Sequence, residues 1–287
     1  MNDTKVFFCG LSKKAEYSLI KKNIDFIIDY SNLSKFDIYL IVIDSDSEKI
    51  IKDYLMDTVK KNINITVVSQ DELEDKIPSR IQRITHCRNL CLDIIYQNNE
   101  EFNIVYIPCD FDIDLFTNTT SAFMDSLIRK CTEFGESKAI FPVSQPRYYD
   151  ILALRAKRWV NYNSQLINSR IKKYLRIGSF FTNYFFVFRH QWKIDKIKNR
   201  NIELISAFGG IGIYSLHQVN QKIYYEYSDK FTEFISEHVL FNSYFKHKEL
   251  NTSWIVNAPN EHINFHKLTP LKKFTYLIKT IKNDVYK

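Results

Sequence analysis

The chain of 287 residues has little glycine, little proline and no long apolar run. Six glycines and six prolines exclude collagen-like and linker-rich chains. No apolar segment approaches the roughly 20 residues that a membrane-spanning helix needs. Lys5, Lys13 and Lys14 interrupt the apolar stretches near the start, so we find no signal peptide pattern there. These features predict a cytoplasmic protein.

Cysteine is scarce and irregularly spaced. Five cysteines are an odd number, which favours reduced thiols over a disulfide framework. Cys87 and Cys91 lie one helical turn apart, and we interpret them as core thiols rather than a metal pair. Ile94 stands where an iron–sulfur motif would need a third cysteine. Aromatic residues, in contrast, are plentiful: 22 Phe and 18 Tyr can fill a large core.

Positive charge is concentrated in two segments. The net charge is +7, but residues 155–200 carry twelve Lys or Arg and one acid, and residues 267–287 carry six Lys and one Asp. The remainder of the chain is therefore acidic. Segments of this kind usually meet an anionic partner, such as nucleotide phosphates, lipid headgroups or nucleic acid.

Short apolar runs alternate with amphipathic stretches in the first half of the chain, which predicts an α/β domain with a mostly parallel sheet. The predicted strands are Lys5–Cys9, Ile38–Ile43, Ile65–Ser69, Ile104–Pro108, Lys138–Val143 and, in the less regular second half, Asn183–Arg189. The predicted helices are Lys13–Lys22, Glu48–Lys61, Arg80–Gln97 and Ser121–Phe134. We expect a nucleotide-binding half over 1–145 and an acceptor-facing half over 146–266. A basic amphipathic helix should follow over 267–287.

Three carboxylates follow the fourth predicted strand on alternate residues: Asp110, Asp112 and Asp114. Ligands of parallel sheets bind beyond the carboxyl ends of strands. The three charges would repel without a cation, and Mg²⁺ or Mn²⁺ would neutralise them and bridge a diphosphate. An acidic turn that caps the next helix is the alternative. An EF-hand is excluded, because Leu115 stands where the loop requires glycine.

Two charged residues fall within otherwise apolar patterns. Arg88 shares one helical arc with Ile84, Cys87 and Cys91, so it either extends out to solvent or points at a buried anion; we favour the anion. Glu237 lies in an apolar run and is suited to act as a base or to bind acceptor hydroxyls. Its alternative is an acid at the start of a helix capped by the preceding serine.

Several segments together resemble known enzymes. Val6–Ser12 resembles the opening of GT-A glycosyltransferases, and residues 43–47 resemble the acidic, serine-containing turn that these enzymes place against the nucleotide. Five later segments resemble, in order, elements of the fungal capsule-associated α-mannosyltransferase family and its bacterial relatives. They are an Arg-Asn helix at 83–89, Asp-x-Asp at 109–112, Tyr-Asp-x-x-x-Leu-Arg at 149–155, a double-glycine turn at 208–214 and Ser-Glu-x at 236–238. The set spans about residues 5–266. Asp114 is an addition to the family pattern, and residues 155–200 have no counterpart in it.

The resemblance implies a GT-A (Rossmann-like) fold and a metal-dependent glycosyltransferase of surface polysaccharide synthesis, such as that of capsule or lipopolysaccharide. The donor would be a UDP- or GDP-sugar, the acceptor a glycan or lipid-linked glycan, and the cofactor Mn²⁺ or Mg²⁺. Nucleic acid would not be a partner. The catalytic residues implied are Glu237 and Asp112, and the metal ligands are Asp110, Asp112, Asp114 and His266, which we prefer to His262. The implied nucleotide-sugar contacts are Cys9, Gly10, Leu11, Asp44, Asp46, Arg83, Arg88, Asp110, Asp150, Arg155, Gly209, Gly210 and His238.

Other readings of these features stay open at this point. The 155–200 segment could bind nucleic acid, or the chain could be a sugar-phosphate nucleotidyltransferase, although residues 9–13 hold a single glycine where such enzymes have a glycine-rich loop. Asp150 and Arg155 could form a structural ion pair, and the double glycine could be a strand-entry turn. The 267–287 helix could lie on an anionic membrane at its inner face or pack on the domain. The resemblance favours retention of the donor configuration, whereas a Glu237 base suits inversion.

Overall fold

The computed structural model describes residues 4–12, 16–62, 64–98, 103–133, 135–163, 166–167, 170–171, 179–200, 202–219, 221–227 and 235–267. The predicted basic helix over 267–287 therefore lies outside the described residues, apart from its first residue. Within the described parts, no helix is both long and apolar enough to span a bilayer.

A seven-stranded sheet forms the centre of the fold, in the order β3-β2-β1-β4-β8-β5-β9. All neighbouring strands run parallel except β8, which is antiparallel to both β4 and β5. The strands are β1 (Thr4–Ser12), β2 (Asp37–Asp44), β3 (Ile65–Ser69), β4 (Asn103–Asp110), β5 (Lys138–Gln145), β8 (Ile213–Ser215) and β9 (His247–Asn257). Two further strands, β6 (Arg155–Lys157) and β7 (Glu203–Ser206), form a separate antiparallel pair. The predicted α/β class with a mostly parallel sheet is confirmed.

Helices cover both faces of the sheet. They are α1 (Tyr17–Leu33), α2 (Lys49–Lys61), α3 (Leu73–Lys76), α4 (Arg80–Asn98), α5 (Ser121–Thr132), α6 (Ser179–Phe186), α7 (Ile194–Lys198), α8 (Glu237–Asn242) and α9 (Asn260–Lys267). Alternate residues of β1 point to opposite faces, as the period of a strand requires. Val6 and Phe8 join the core beneath α1, α2 and α5, while Phe7 and Cys9 join the core beneath α4 and α8. Burial on both faces explains why these strands are continuous apolar runs.

Two sequence predictions require correction. Asn183–Arg189 is not a strand: α6 ends at Phe186, and Phe188–His190 forms a short 3₁₀ helix. A short aromatic run does not distinguish a buried strand from a helix by its periodicity. The first helix also begins and ends later than predicted, since α1 continues to Leu33. Its buried residues keep a helical spacing as far as Tyr30, well beyond the predicted end.

Candidate functional site

A cavity of about 1370 Å³ opens at the carboxyl ends of β4 and β5. The start of α4, the turn after β4, the segment after β5, α6, the start of α8 and the start of α9 enclose it. Seven of the predicted site residues line this cavity: Arg88, Asp110, Asp112, Asp114, Asp150, Glu237 and His238. They come from four separate segments of the chain, which the fold brings together around one cavity.

Arg88 is the central charge of the site. Its side chain is 4% exposed, and its guanidinium donates from Nη1 to Glu237 and from Nη2 to Oδ1 of Asp110 at 3.0 Å. The rings of Phe208 and Tyr225 lie 5.1 and 5.3 Å from its Cζ. The prediction that Arg88 points at a buried anion is confirmed, and the anion is a pair of carboxylates.

Burial and the neighbouring charges act in opposite directions on the pKa values of Arg88 and Asp110. Burial disfavours the charged form of Arg88, but Asp110 and Glu237 outweigh it and raise the pKa of Arg88. Burial raises the pKa of Asp110 to about 7, against the attraction of Arg88 and with the repulsion of Asp112. Arg88 therefore stays charged, and Asp110 depends on that charge to ionise at neutral pH.

Asp112 lies in the turn after β4 and lines the cavity. Removal from water raises the pKa of Asp112, against the attraction of Arg80 and His262. His262, at the start of α9, also lines the cavity, and its ring stacks on Tyr149 with 5.4 Å between centroids. An aspartate and a histidine thus face the same space from two sides.

The described residues around this space form no complete metal site. Among the described residues, no three His, Cys, Asp or Glu side chains converge into a ready metal cage. Mg²⁺ and Mn²⁺, however, are commonly held by one or two protein ligands together with substrate phosphates. Asp112 and His262 both line the cavity and would be two such ligands, whereas Asp110 is bonded by Arg88.

Asp114 and His266, two of the predicted metal ligands, have other partners. The Asp114 carboxylate accepts from Thr117 at 2.5 and 2.7 Å, from Lys22 at 3.0 Å and from Asn257 at 2.9 Å. Nε2 of His266 lies 2.9 Å from Oε1 of Gln191. His262 belongs to the described lining of the cavity and His266 lies outside it, and Nε2 of His262 lies 3.4 Å from Oε1 of Glu261.

The double-glycine turn lies beside the cavity. Gly209 and Gly210 have φ of 83° and 87°, a region that favours glycine. A Cβ on Gly210 would come within 2.7 Å of Ile113 and 2.9 Å of the Tyr149 hydroxyl. The Gly209 amide donates to Oδ2 of Asp150 at 3.0 Å, and burial raises the pKa of this aspartate. The turn thus packs closely against the acidic loop and orients Asp150.

Asp150 and Arg155 bond the backbone rather than each other. Asp150 also accepts from the amide of Ala153 at 3.2 Å, while Arg155 donates to the carbonyls of Leu152 and Leu154 at 3.0 and 2.7 Å. Burial lowers the pKa of Arg155, although Asp150 opposes this effect. The two residues stabilise the bend between β5 and β6, and Asp150 alone of the pair lines the cavity.

His238 is a buried polar residue in the cavity wall. It is 3% exposed, its ring stacks on Phe208 with 3.6 Å between centroids, and neither ring nitrogen has a hydrogen-bond partner. Nε2 lies 3.8 Å from Oε1 of Glu237, beyond hydrogen-bond reach. Burial and the charge of Arg88 lower the pKa of His238 well below its usual value. A neutral imidazole with both nitrogens unused is a potential ligand contact.

A second polar group lies at the ends of β1 and β2. Asp44 is 1% exposed, and its nearest polar neighbours are the hydroxyls of Ser12 and Ser47. Oγ of Ser12 and Oγ of Ser47 are 2.9 Å apart beside it. Burial raises the pKa of Asp44. Asp46 has φ of 58° and accepts from the amide of Glu72 at 2.6 Å, so it fixes the turn.

The remaining predicted contacts lie in the interior or at helix ends, outside the described lining of the cavity. Cys9 is buried and burial raises its pKa. A Cβ on Gly10 would come within 1.9 Å of the Phe111 ring, so this glycine makes room for an aromatic packing contact. Leu11 pairs with Ile43 and Asp110 across the sheet. Arg83 donates at 2.7 Å to the carbonyls of Ile77 and Pro78 and joins the start of α4 to the preceding loop.

Gln191 is a site residue that the sequence analysis missed. It is 2% exposed, it lines the cavity, and its Nε2 donates to the carbonyls of His262 at 3.0 Å and Tyr149 at 3.4 Å. With its bond to His266 it ties α9 to the segment after β5. An isolated glutamine in a basic stretch gives no sequence signal for such a role.

No protein-family profile and no curated protein matches this chain. Its fold is similar to solved structures at low identity. One is S. aureus TarS, at 10% identity and a TM-score of 0.43 over 98% of this chain and 65% of that one. The mannosyltransferase PcManGT from Pyrobaculum calidifontis, solved with GDP-Man and Mn²⁺, has 11% identity and a TM-score of 0.48 over 98% and 74%. Glucosyl-3-phosphoglycerate synthase from Mycobacterium tuberculosis was solved with Mn²⁺, UDP-glucose and phosphoglyceric acid. It has 13% identity and a TM-score of 0.42 over 98% of this chain and 80% of that one. At such values the function has to be inferred from the residues of the site.

Proposed function

We propose that this chain is a metal-dependent GT-A glycosyltransferase. It transfers a sugar from a UDP- or GDP-sugar to a glycan or lipid-linked glycan, in the synthesis of a surface polysaccharide such as capsule or lipopolysaccharide. One observation supports this most directly. Arg88 holds Asp110 and Glu237 at the wall of one cavity, into which Asp112 and His262 also face. A carboxylate for an acceptor hydroxyl and ligands for a diphosphate-bound metal thus share one space.

The register of the sheet supports a binding path for the donor. Ser12 pairs with Asp44 on one side of β1, and Leu11 pairs with Asp110 on the other. The ends of β2 and β4 therefore flank β1, about 10 Å apart at ordinary strand spacing. Asp44 would lie on the side of the base or ribose, and Asp112 on the side of the diphosphate.

Asp112 and His262 would hold Mn²⁺ or Mg²⁺ through a carboxylate oxygen and an imidazole nitrogen. The bound metal supplies Lewis-acid stabilisation of the leaving diphosphate. Asp110, paired with Arg88, stands beside Asp112 and contacts the donor. His238 and Asp150, which also line the cavity, would offer further polar contacts to the sugar.

Glu237 supplies the acceptor-side chemistry. Arg88 fixes its position, and Oε2 lies 3.4 Å from Oγ of Ser236 at the cavity edge. Glu237 binds the acceptor hydroxyl and accepts its proton as that oxygen bonds to the anomeric carbon. The bond from this carbon to the diphosphate breaks, and the nucleoside diphosphate leaves with the electron pair.

The acceptor and the location belong to the same proposal. We place residues 1–145 against the donor and residues 146–266 against the acceptor. The enzyme would act in the cytoplasm, with the basic 267–287 tail at the inner face of the membrane. The six lysines and one aspartate of that tail support attraction to anionic lipids.

A thermal-shift panel tests the proposed activity. UDP-, GDP- and CMP-sugars are added with and without Mn²⁺ to the wild type, to Asp112→Asn and to Asp53→Asn, which makes the same change on the exposed face of α2. One nucleotide class should stabilise the wild type and Asp53→Asn only when metal is present, and should have no effect on Asp112→Asn. Equal shifts without metal, or a full shift in Asp112→Asn, would contradict the proposed metal site. No shift with any donor would contradict the activity.

A further inference from the structure

Two cations lie over one indole ring near the cavity, and a third bonds the backbone beside it. Nζ of Lys196 lies 4.0 Å from the ring centroid of Trp192, and Cζ of Arg200 lies 4.6 Å from it. Arg147 donates to the carbonyl of Gln191, the neighbour of Trp192, at 2.9 Å. We name Arg147, Lys196 and Arg200 the cationic cluster. It belongs to the acceptor half of the chain and has no part in the proposed chemistry.

The support beneath the cluster is rigid. Trp192 is 7% exposed and stacks on Trp159 with 4.8 Å between centroids and 10° between ring planes. Nε1 of Trp159 donates to the carbonyl of His190 at 2.8 Å, and the amide of Tyr148 donates to the carbonyl of Trp192 at 2.9 Å. The cations therefore lie on a fixed aromatic surface instead of a mobile loop, which reduces the entropy lost when a ligand binds.

Within the described parts of the chain, no carboxylate neutralises the cluster. Among the described ion pairs, none includes Arg147, Lys196 or Arg200. Asp195 is the one acid among residues 155–200. Partial burial and then the repulsion of Arg200 and Arg147 lower the pKa of Lys196. Three cations held together without a partner carboxylate cost free energy that an anionic ligand would recover.

The cluster adjoins the cavity in two places along the chain. Pro146 and Gln191 line the cavity. Pro146 is followed directly by Arg147 of the cationic cluster, and Gln191 is followed directly by Trp192, the ring on which the other two cations lie. The part of a bound acceptor that extends out of the cavity past Pro146 or Gln191 would therefore come near these cations. The position suits a group attached to the acceptor rather than the donor diphosphate, which the acidic end of the cavity receives.

We propose that the cationic cluster is a binding site for a phosphate or diphosphate group carried by the acceptor. This inference rests on the proposed function, because it assigns a chemical class to the acceptor of the same cavity. Arginine binds phosphate oxygens in a planar fork, and lysine adds a point charge. The phosphate could come from a lipid headgroup or from a water-soluble phosphorylated sugar, and both sources share the chemistry that the cluster recognises.

Charge-neutral variants test the site. Lys196→Gln/Arg200→Gln removes two cations, and Lys49→Gln/Lys61→Gln removes two exposed cations from α2 as a control of equal net charge. Binding is measured with two probes in EDTA: inorganic pyrophosphate by calorimetry, and vesicles of phosphatidylcholine with phosphatidylglycerol by sedimentation. We expect about a tenfold or greater loss in the cluster variant and no loss in the control, since the cluster variant lacks two of the three cations that would attract the anion.

The two probes separate the possible sources. Loss of pyrophosphate binding identifies a site for soluble phosphate, and loss confined to vesicles identifies a site for lipid phosphate. No binding of either probe to the wild type, or equal binding by both variants, overturns the proposal. Mn²⁺-dependent binding of the nucleotide sugar, measured in parallel, should be unchanged in the cluster variant. The proposed activity can therefore fail or succeed independently of this site.

Discussion

Arg88 donates to the carboxylate of Glu237, which follows it by 149 positions in the chain. This contact joins the middle of α4 to the first residue of α8. The same guanidinium bonds Asp110 at the end of β4, so one residue connects three elements at the cavity. A cation that is 4% exposed has to be matched by such partners, because an isolated buried charge costs many kcal/mol.

Replacing Arg88 by methionine should destabilise the protein strongly. The change preserves much of the apolar stem but leaves Asp110 and Glu237 facing each other without a cation, and loss of one partner of a buried pair costs about 3–5 kcal/mol. Urea denaturation of Arg88→Met measures this cost. Arg129→Met is the control, because Arg129 is exposed and its Cζ lies 5.6 Å from the Phe36 ring, a contact worth about 1 kcal/mol or less. Equal loss in both variants would contradict the role given to Arg88.

The pairing of Arg88 also shows which features of the site could be predicted from the sequence. An arginine on the apolar arc of a helix predicts a buried anion, because solvation cannot satisfy it there. The identity of that anion was not predictable, since Glu237 lies in a distant helix of six residues. The strands β1 to β5 were predictable because burial on both faces of a parallel sheet leaves a continuous apolar run in the sequence, whereas β6 to β9 were not predicted.

Residues whose role depends on tertiary contact were not predictable. His262 and His266 lie four positions apart with the same chemistry, and their tertiary contacts distinguish them: His262 lines the cavity and stacks on Tyr149, while His266 bonds Gln191. Asp114 continues the alternation of Asp110 and Asp112, yet the carboxylate turns to Lys22 in α1. No local pattern encodes which of several like residues finds a partner elsewhere in the fold.

Asp114 should contribute to stability in a way that depends on pH. Burial alone would raise the pKa of Asp114, but hydrogen bonds from Thr117, Lys22 and Asn257 outweigh it and lower the pKa. A lowered folded-state pKa stabilises the protein above the unfolded value of about 3.9, and this contribution is lost as the pH falls through the folded-state pKa. Asp114→Asn should therefore lose about 1 kcal/mol at neutral pH, with the deficit closing in acid.

Urea denaturation across a pH series measures the Asp114 effect. Asp57→Asn is the matched control, because the Asp57 carboxylate is 64% exposed and its contact with Lys60 is 3.3 Å on the surface of α2. An exposed pair of this kind contributes little. A deficit in Asp114→Asn that stays constant into acid would show that its carboxylate is not held by these donors.

Gly210 should tolerate no side chain. Alanine there would have φ near 87°, and its Cβ would come within 2.7 Å of Ile113 and 2.9 Å of the Tyr149 hydroxyl. We expect Gly210→Ala to cost about 1–3 kcal/mol in the free energy of unfolding. Gly135→Ala is the comparison, because φ is 49° there but nothing lies within 4 Å of the added Cβ. Similar losses in the two variants would mean that backbone strain alone, and not the packing of the turn, restricts Gly210.

We expect His238 to lower the free energy of unfolding and to strengthen ligand binding. Its ring is 3% exposed with no hydrogen bond at either nitrogen, so the fold bears the cost of two desolvated polar atoms. Phenylalanine would keep the stacking on Phe208 and remove that cost, and we expect a gain of about 1–3 kcal/mol in the free energy of unfolding. If the nitrogens are kept for the substrate, His238→Phe should at the same time bind the nucleotide sugar or the acceptor at least tenfold more weakly, the equivalent of about 1.4 kcal/mol.

Thr119→Val provides the matched control for His238. Oγ1 of Thr119 is also buried without a hydrogen-bond partner, but the residue lies outside the described lining of the cavity. Valine has nearly the same shape, so the variant should gain stability without any change in binding. Thermal unfolding and the binding constant of the nucleotide sugar, measured on both variants, separate the two effects. A His238→Phe variant that is more stable and binds normally would show that the imidazole has no ligand, and one that is less stable would show that its nitrogens are satisfied within the folded protein.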